Sequence, residues 1–338
     1  MILIVSHEQD LHTRVVLDEL RRRGAPVALL NLARFPVETR LTVALADGAA
    51  APPRRTLIVD GRPLDLDEVR VVWWRRPQPF ELDPGVSGRD DRQFAYGECH
   101  CAFAGLWLTL DRAFWINHPT RDDEAARKLH QLHLVRRLGL RAPRSCITND
   151  PAEARAFAQA EGLTRTIYKA FSATESAWRE TRLLQPAEAA LLDQVAHAPV
   201  IFQEYIEAEV DLRITVVGDQ IFAAAIESQA TSYKVDFRMT MHEAAIHPHV
   251  LPDAVADSLR RLMAELGLVY GAIDMRLTPA GEYVFLEVNP AGQWLFVEQR
   301  TGQPITRTLA ELMMAHERTL DRGMPTAPTC GDGWRRTA

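Results

Sequence analysis

Short apolar runs alternate with amphipathic stretches along the first third of the chain. The opening "ILIVS" has the unbroken hydrophobicity of a buried strand. In "QDLHTRVVLDELRRRG" the apolar residues Leu11, Val15, Val16 and Leu20 fall on one helical face before Gly24 stops it. The runs "VALLN", "LTVAL", "TLIVD" and "VRVVWW" are predicted strands, divided by the turn-forming segments "DGAAAPPRR" and "DGRPLD". This alternation predicts an open α/β lobe. A long helical run, "RQFAYGECHCAFAGLWLTLD", follows and leads to "FWINHPT".

A second pattern begins at Asn117. Thr120 is the predicted cap of a helix with Asp122 and Asp123 in its first turn, where negative charge suits the helix dipole, and Gly139 stops it. From there the order becomes α+β. Helix "PAEARAFAQAE" is followed by strands "TRTIYKAF" and "TRLL", helix "PAEAALLDQVA" and strand "PVIFQEYI". Strands "DLRITVVGDQIFAAAIES" pair through a turn at Gly218-Asp219, and helix "PDAVADSLRRLMAELG" leads into "LVYGAIDMRLT" and "EYVFLEVNP", joined by "PAGE". A last helix starts from Pro304, and residues 323–338 lack periodicity and read as a flexible tail.

Composition narrows the class. The 338 residues are 47% hydrophobic and 25% charged, as in a soluble globular enzyme, and the length predicts two or three lobes. A formal net charge of -6 argues against a nucleic-acid binder. The four cysteines are no disulfide framework, and Cys99-His100-Cys101 has no second pair at zinc-finger spacing, so it reads as a helix face. No signal peptide or membrane-spanning run is evident, which predicts a cytoplasmic protein with no membrane partner.

The chemistry concentrates near the C-terminus. In "GAIDMRLTPAGEYVFLEVNP", residues two apart share a strand face, so Glu287 and Asn289 point together, and pairing through the turn sets Asp274 across from them. Three hard oxygen ligands of this kind suit magnesium (Mg2+) beside nucleotide phosphates. Upstream, Lys128 and Lys169 stand out in an arginine-rich chain, and Lys169 lies in the strand "TIYKAF", where burial is costly without an anion. Glu204, Tyr205 and Ile206 close another apolar strand and offer backbone groups to a flat base, with Asp211 beyond them for a ribose.

In this order, Lys128, Lys169, Glu204-Tyr205-Ile206, Asp211, Asp274 and Glu287-Val288-Asn289 resemble the ATP-grasp superfamily. The resemblance covers nearly the whole chain. It implies a pre-ATP-grasp α/β domain (1–118), a small central domain (119–205) and a C-terminal ATP-grasp domain (206–322), with ATP and magnesium as cofactors. Within that superfamily "VVWWRRP", "INHP", "IYKAF" and "VDFR" are similar to the microviridin-type graspetide synthetases. These enzymes join side chains of a ribosomal precursor peptide into ester or amide rings. The loop "KAFSATESAWRETRLL" departs from the usual glycine-rich phosphate cover by containing no glycine, leaving Ser172, Thr174 and Ser176 to take that role.

The resemblance further implies that Lys128 and Lys169 bind phosphates, that Glu204 to Ile206 frame the adenine, and that Asp211 holds the ribose. Arginine forks are the natural hosts for an acceptor carboxylate and its acyl phosphate, and Arg213, Arg276 and Arg76 are the candidates. The implied partners are a precursor peptide with its leader segment and a second copy of the chain. A glutamate-adding or amino-acid ligase, and a kinase that stops at phosphoryl transfer, use the same nucleotide machinery and stay open at this level.

Overall fold

The computed structural model describes residues 1–45, 54–171 and 181–319. They form two compact units: Met1–Pro119 together with the chain from Thr306, and Thr120–Ile305. The glycine-free stretch with Ser172, Thr174 and Ser176, and the tail 323–338, lie outside the described residues.

In the first unit, four strands form a parallel sheet in the order Val27–Leu30, Ile2–Val5, Val71–Trp74, Phe114–Ile116. All four residues of Ile2–Val5 are fully buried, the environment that a central parallel strand meets on both faces. Helix Leu11–Arg22 is capped by Asp10, whose carboxylate accepts the Thr13 N–H at 2.7 Å. "LTVAL" and "TLIVD" do form strands, but in a separate antiparallel sheet of Arg40–Ala44, Arg54–Val59 and Arg62–Asp65. The third of these falls within "DGRPLD", which the sequence had marked as punctuation. In helix Arg89–Leu108, Cys99 is buried while His100 and Cys101 face solvent.

The second unit holds two antiparallel sheets. The first has the order Arg182–Leu183, Thr166–Lys169, Val200–Glu204, Ser145–Thr148; the second has Ile246–His249, Gln220–Ile226, Val210–Val217, Tyr270–Leu277, Tyr283–Asn289. Leu212, Ile214 and Val216 pack with Leu259, Leu262, Met263 and Leu266 of helix Asp253–Leu266 into one core. The alternate residues, Asp211, Arg213 and Thr215, face the other side. The helix expected after Thr120 is broken. Thr120 lies inside Pro119–Ala126, Arg127 leaves helical geometry, and a new helix runs Lys128–Arg137.

A bulge decides which residues of the last strand face which way. Asp274 pairs with Glu287, whereas its neighbour Met275 pairs with Phe285, so Leu286 is an extra residue. Simple alternation would put Phe285 and Glu287 on the same face. The extra residue shifts the phase, so that Phe285 joins Met275 in the core while Glu287 stays opposite Asp274 on the polar face. Deleting Leu286 forces one of the two onto the wrong face. We expect it to cost about 3–5 kcal/mol, the scale of removing a buried Phe, read as a lower denaturation midpoint; an unchanged midpoint would contradict the bulge.

Candidate functional site

Register places the charged residues in rows. Asp211 lies opposite Arg276, and Arg213 lies opposite Asp274, which in turn faces Glu287. Arg213 Nη1 donates to both Asp274 oxygens, at 2.7 and 2.9 Å, and its Nη2 donates to the Gln293 carbonyl at 2.9 Å. Arg276 Nε donates to Asp211 Oδ1 at 2.9 Å, its Nη1 to the Ile206 carbonyl, and its Nη2 to the carbonyls of Lys234 and Val235. The Arg276 guanidinium also lies 5.2 Å over the Tyr205 ring.

These rows border a pocket of about 110 Å³ lined entirely from the second unit. The pocket brings together Lys128, Lys169, Glu204, Tyr205, Ile206, Asp211, Asp274, Arg276 and Glu287 of the sequence-derived set. Lys128 Nζ stands 3.5 Å from Glu287 Oε2 and 3.3 Å from the Ala170 carbonyl. Burial pushes the Lys169 ammonium down to about 8, against the attraction of Glu287. Burial alone would raise the Glu287 carboxyl, but Lys128, Lys169, Arg238 and Arg213 together hold it below the ordinary range. Asp274 is raised, by burial first, against the opposing Arg213, with the Glu287 charge adding to the rise.

Asp236 and Arg238 also line this pocket, from the loop that carries "VDFR". Arg238 Nε and Nη2 donate to the two Asp236 oxygens at 2.7 and 2.6 Å, and the Arg238 side chain is 40% exposed. The sequence had marked that segment as part of a resemblance without giving the two residues a role. A D-x-R spacing in an irregular loop has no periodicity from which a facing direction can be read.

Glu204 and Asp211, expected beside the base and the ribose, also line the pocket. The Glu204 carboxylate accepts the Arg144 N–H at 3.1 Å and Arg144 Nε at 2.9 Å, so it is held by a neighbouring side chain; what the Glu204 to Ile206 segment can offer a base is its backbone and the buried Ile206. Asp211 is 2% exposed, and its Oδ2, walled into the pocket, has no hydrogen-bond partner among the described residues. A buried carboxylate oxygen without a donor is costly, which suits it to a ligand hydroxyl.

The three candidate arginines are placed differently. Arg276 is 4% exposed and spends its donors on Asp211 and three backbone carbonyls, so it braces the segments around the pocket instead of presenting a fork to a substrate. Arg213 is likewise engaged with Asp274 and Gln293, and it acts on the pocket through Asp274. Arg75 is buried against Asp10 (Nε to Oδ1, 3.1 Å), while Arg76 is exposed with φ 42° and belongs to the first unit, outside the residues lining the pocket. Asn289 shares the Glu287 face, and its Oδ1 accepts the Ala291 N–H at 3.0 Å, which closes the turn after the strand.

Hard oxygens from Asp274, Glu287 and Asn289, flanked by Lys128 and Lys169, have the chemistry of a magnesium and phosphate site. A cation held by these residues would compete with Arg213 for Asp274. Asp211 Oδ2, with no donor among the described residues, is an acceptor of the kind a sugar hydroxyl takes. The residues therefore fit magnesium and a nucleoside triphosphate.

Comparison with known proteins agrees in both halves. Residues 1–123 match the family described as MvdD pre-ATP grasp domain, and residues 125–313 the RimK-like ATP-grasp domain. No curated protein sequence matches the chain. Among solved structures, it is 30% identical to macrocyclase MdnC from Microcystis aeruginosa MRC, bound with precursor peptide MdnA, over 93% of this chain and 99% of that one, with a TM-score of 0.81. A Chryseobacterium gregarium RiPP-associated ATP-grasp ligase in complex with ADP and a leader and core peptide is 26% identical over 93% and 96%, at 0.82. The ATP-grasp ligase PsnB, complexed with minimal precursor, Mg and ADP, is 27% identical over 94% and 97%, at 0.75.

The turn after Asn289 locks the charged row in place. Tyr270 donates its hydroxyl to the Gly292 carbonyl at 2.7 Å and packs edge-on against the fully buried Trp294, while the next carbonyl holds Arg213. A Cβ on Gly292 would stand 2.3 Å from the Ala272 Cβ and 3.1 Å from Arg213 Nη2. Gly292→Ala is therefore expected to destabilise the second unit by about 1–3 kcal/mol, as overpacking does, measured by thermal unfolding. An unchanged midpoint would mean that the turn does not pack this closely.

Proposed function

The chain belongs to the ATP-grasp enzymes, with a pre-ATP-grasp domain ahead of a RimK-like ATP-grasp domain, and we propose that it is an ATP-dependent peptide macrocyclase. It activates Asp or Glu side chains of a ribosomal precursor peptide as acyl phosphates and joins them to Thr or Ser hydroxyls or Lys amines. The observation that carries this reading is Asp274 opposite Glu287, beside Lys128 and Lys169 in a single pocket, with Arg213 paired to Asp274 behind them. The peptide as substrate rests on relatives of similar length whose structures hold precursor peptides.

A carboxylate does not condense with an alcohol in neutral water without a leaving group. In the first step a substrate carboxylate oxygen bonds to the γ-phosphorus of ATP and ADP departs. In the second, a hydroxyl or amine of the same peptide attacks the acyl carbon, losing its proton as phosphate leaves, so that each ring costs one water. Lys128 and Lys169 donate to phosphate oxygens as point cations. Asp274, Glu287 and Asn289 would hold magnesium, which supplies charge neutralisation and alignment at the phosphates. Asp211 Oδ2 accepts a ribose hydroxyl, and the backbone of Glu204 to Ile206 meets the adenine edge. Arg238, still 40% exposed while paired with Asp236, takes the role of carboxylate host that Arg276 and Arg76 had been expected to fill. ATP as co-substrate fits a cytoplasmic enzyme, and among the described residues no helix is long and apolar enough to cross a membrane.

The second expected partner is another copy of the chain. Helix Arg89–Leu108 exposes Phe94 (70%) and Leu108 (67%), with Cys101 and Ala104 between them, at spacings of seven, three and four residues that keep all four on one helical face, as in a helix-pairing seam. We assign self-association to this face. Leu108→Glu should shift a dimer to monomer in sedimentation analysis, and a dimer that survives the change would remove this helix from the interface.

The activity is tested by incubating enzyme, ATP, magnesium and a precursor rich in Thr, Ser, Glu and Asp, then reading the peptide mass. Loss of one water per ring is expected from the wild type and none from Glu287→Gln with an unchanged melting curve. A gain of phosphate without water loss would favour the kinase reading. No ATP-dependent change in mass would count against a peptide substrate.

A further inference from the structure

The strand that carries Glu287 and Asn289 is the edge of its sheet, so the backbone groups of Val288 that point away from the neighbouring strand have no strand to pair with. One side chain meets both. Gln131 Oε1 accepts the Val288 N–H at 2.9 Å, and Gln131 Nε2 donates to the Val288 carbonyl at 2.8 Å, as a neighbouring strand would. The same Nε2 donates to the Ala125 carbonyl at 2.6 Å, closing the end of helix Pro119–Ala126 where the chain breaks at Arg127. The carboxamide is 2% exposed, and all its hydrogen-bonding capacity toward protein is directed at backbone. Its orientation follows from those partners: the nitrogen faces two carbonyls and the oxygen faces an N–H.

Two consequences follow from where these partners sit. The Val288 N–H belongs to the peptide that follows Glu287, and the Val288 carbonyl to the peptide that precedes Asn289. One carboxamide therefore fixes both peptide planes between the two oxygen ligands. Gln131 also lies three residues beyond Lys128, on the same face of the helix Lys128–Arg137. The lysine that stands 3.5 Å from Glu287 and the strand that carries Glu287 are thus keyed to each other through Gln131.

We propose that Gln131 is a positioning residue that sets the metal-facing geometry of Glu287 and Asn289 relative to Lys128. The inference rests on the assignment of that face to magnesium and phosphate. Gln131 touches neither ligand nor reacting atoms, and its influence passes through the Val288 peptides. In Gln131→Met, which keeps the length and loses the hydrogen bonds, the Val288 peptides lose their outer partner, while the strand keeps its packing, its neighbouring strand and the Phe285 N–H bond to the Arg141 carbonyl.

The test measures ligand binding on the full chain by calorimetry, with adenosine as a probe of the base and ribose end and ADP titrated over a range of magnesium concentrations. For Gln131→Met the magnesium concentration that half-restores ADP affinity should rise roughly 10-fold or more, the usual scale for groups that orient metal ligands, with adenosine affinity unchanged. Leu134→Ala, a core substitution on the same helix, controls for general destabilisation; it should lower the melting temperature and leave the magnesium midpoint in place. Should Gln131→Met not fold, Gln131→Asn, with the same amide one methylene short, carries the comparison. A midpoint unmoved in the Gln131 variant, or moved equally by Leu134→Ala, overturns the proposal. A wild type whose ADP affinity ignores magnesium overturns the site assignment first, and this inference with it.

Discussion

Two carboxylates directly opposite each other on adjacent strands are the constraint around which the second unit is arranged. At the side-chain separation of a cross-strand pair, like charges repel by about 3 kcal/mol in an effective dielectric of about 20. Asp274 and Glu287 sit in that relation with little water to screen them. The surroundings answer with cations from separate places in the chain: Arg213 from the next strand, Lys128 from a helix, Lys169 from the other sheet and Arg238 from a loop. The resulting field keeps Glu287 ionised and draws a multivalent anion and its counter-cation to the same spot. In this protein, the cost of holding the carboxylates together and the capacity to bind a phosphorylated ligand have one origin.

Most of that arrangement is carried by backbone geometry. The bulge at Leu286 lets one strand feed Phe285 to the core and Glu287 to the pocket. Gly292 permits the following turn to approach Ala272 closely enough for the Gln293 carbonyl to reach Arg213. Gln131 replaces the missing neighbour of the edge strand. Each device acts within a few residues of a charged group and fixes its direction, so the charged side chains need not find their positions individually.

The arginines show where strand alternation stops short of a side chain's partner. Arg213 and Arg276 lie two residues from Asp211 and Asp274 in their strands, so alternation puts each on the same face as a carboxylate. In an antiparallel ladder, however, a residue's closest partner is the one opposite, and the register pairs Arg213 with Asp274 and Arg276 with Asp211. Both arginines therefore became braces for the acidic groups. Arg238 and Asp236 are not legible for a different reason: they sit in a single short 3-10 turn capped by Asp236, where neither period two nor period 3.6 says which way a side chain points.

The sequence alone determined most of the elements in order, the shared face of Glu287 and Asn289, the pairing of Glu287 with Asp274 through the "TPAG" turn, and the lysines that accompany them. These depend on local periodicity, on turn chemistry and on residue types whose burial is intelligible only with an anion or a metal. Tertiary structure decided which arginines are occupied, that Asp211 keeps one oxygen without a donor, and that a glutamine on a broken helix holds the strand of Glu287. Those outcomes depend on register, on a one-residue bulge and on contacts such as Gln131 with Val288, 157 residues apart. No local pattern encodes them, because each arises from the meeting of segments that are independent along the chain.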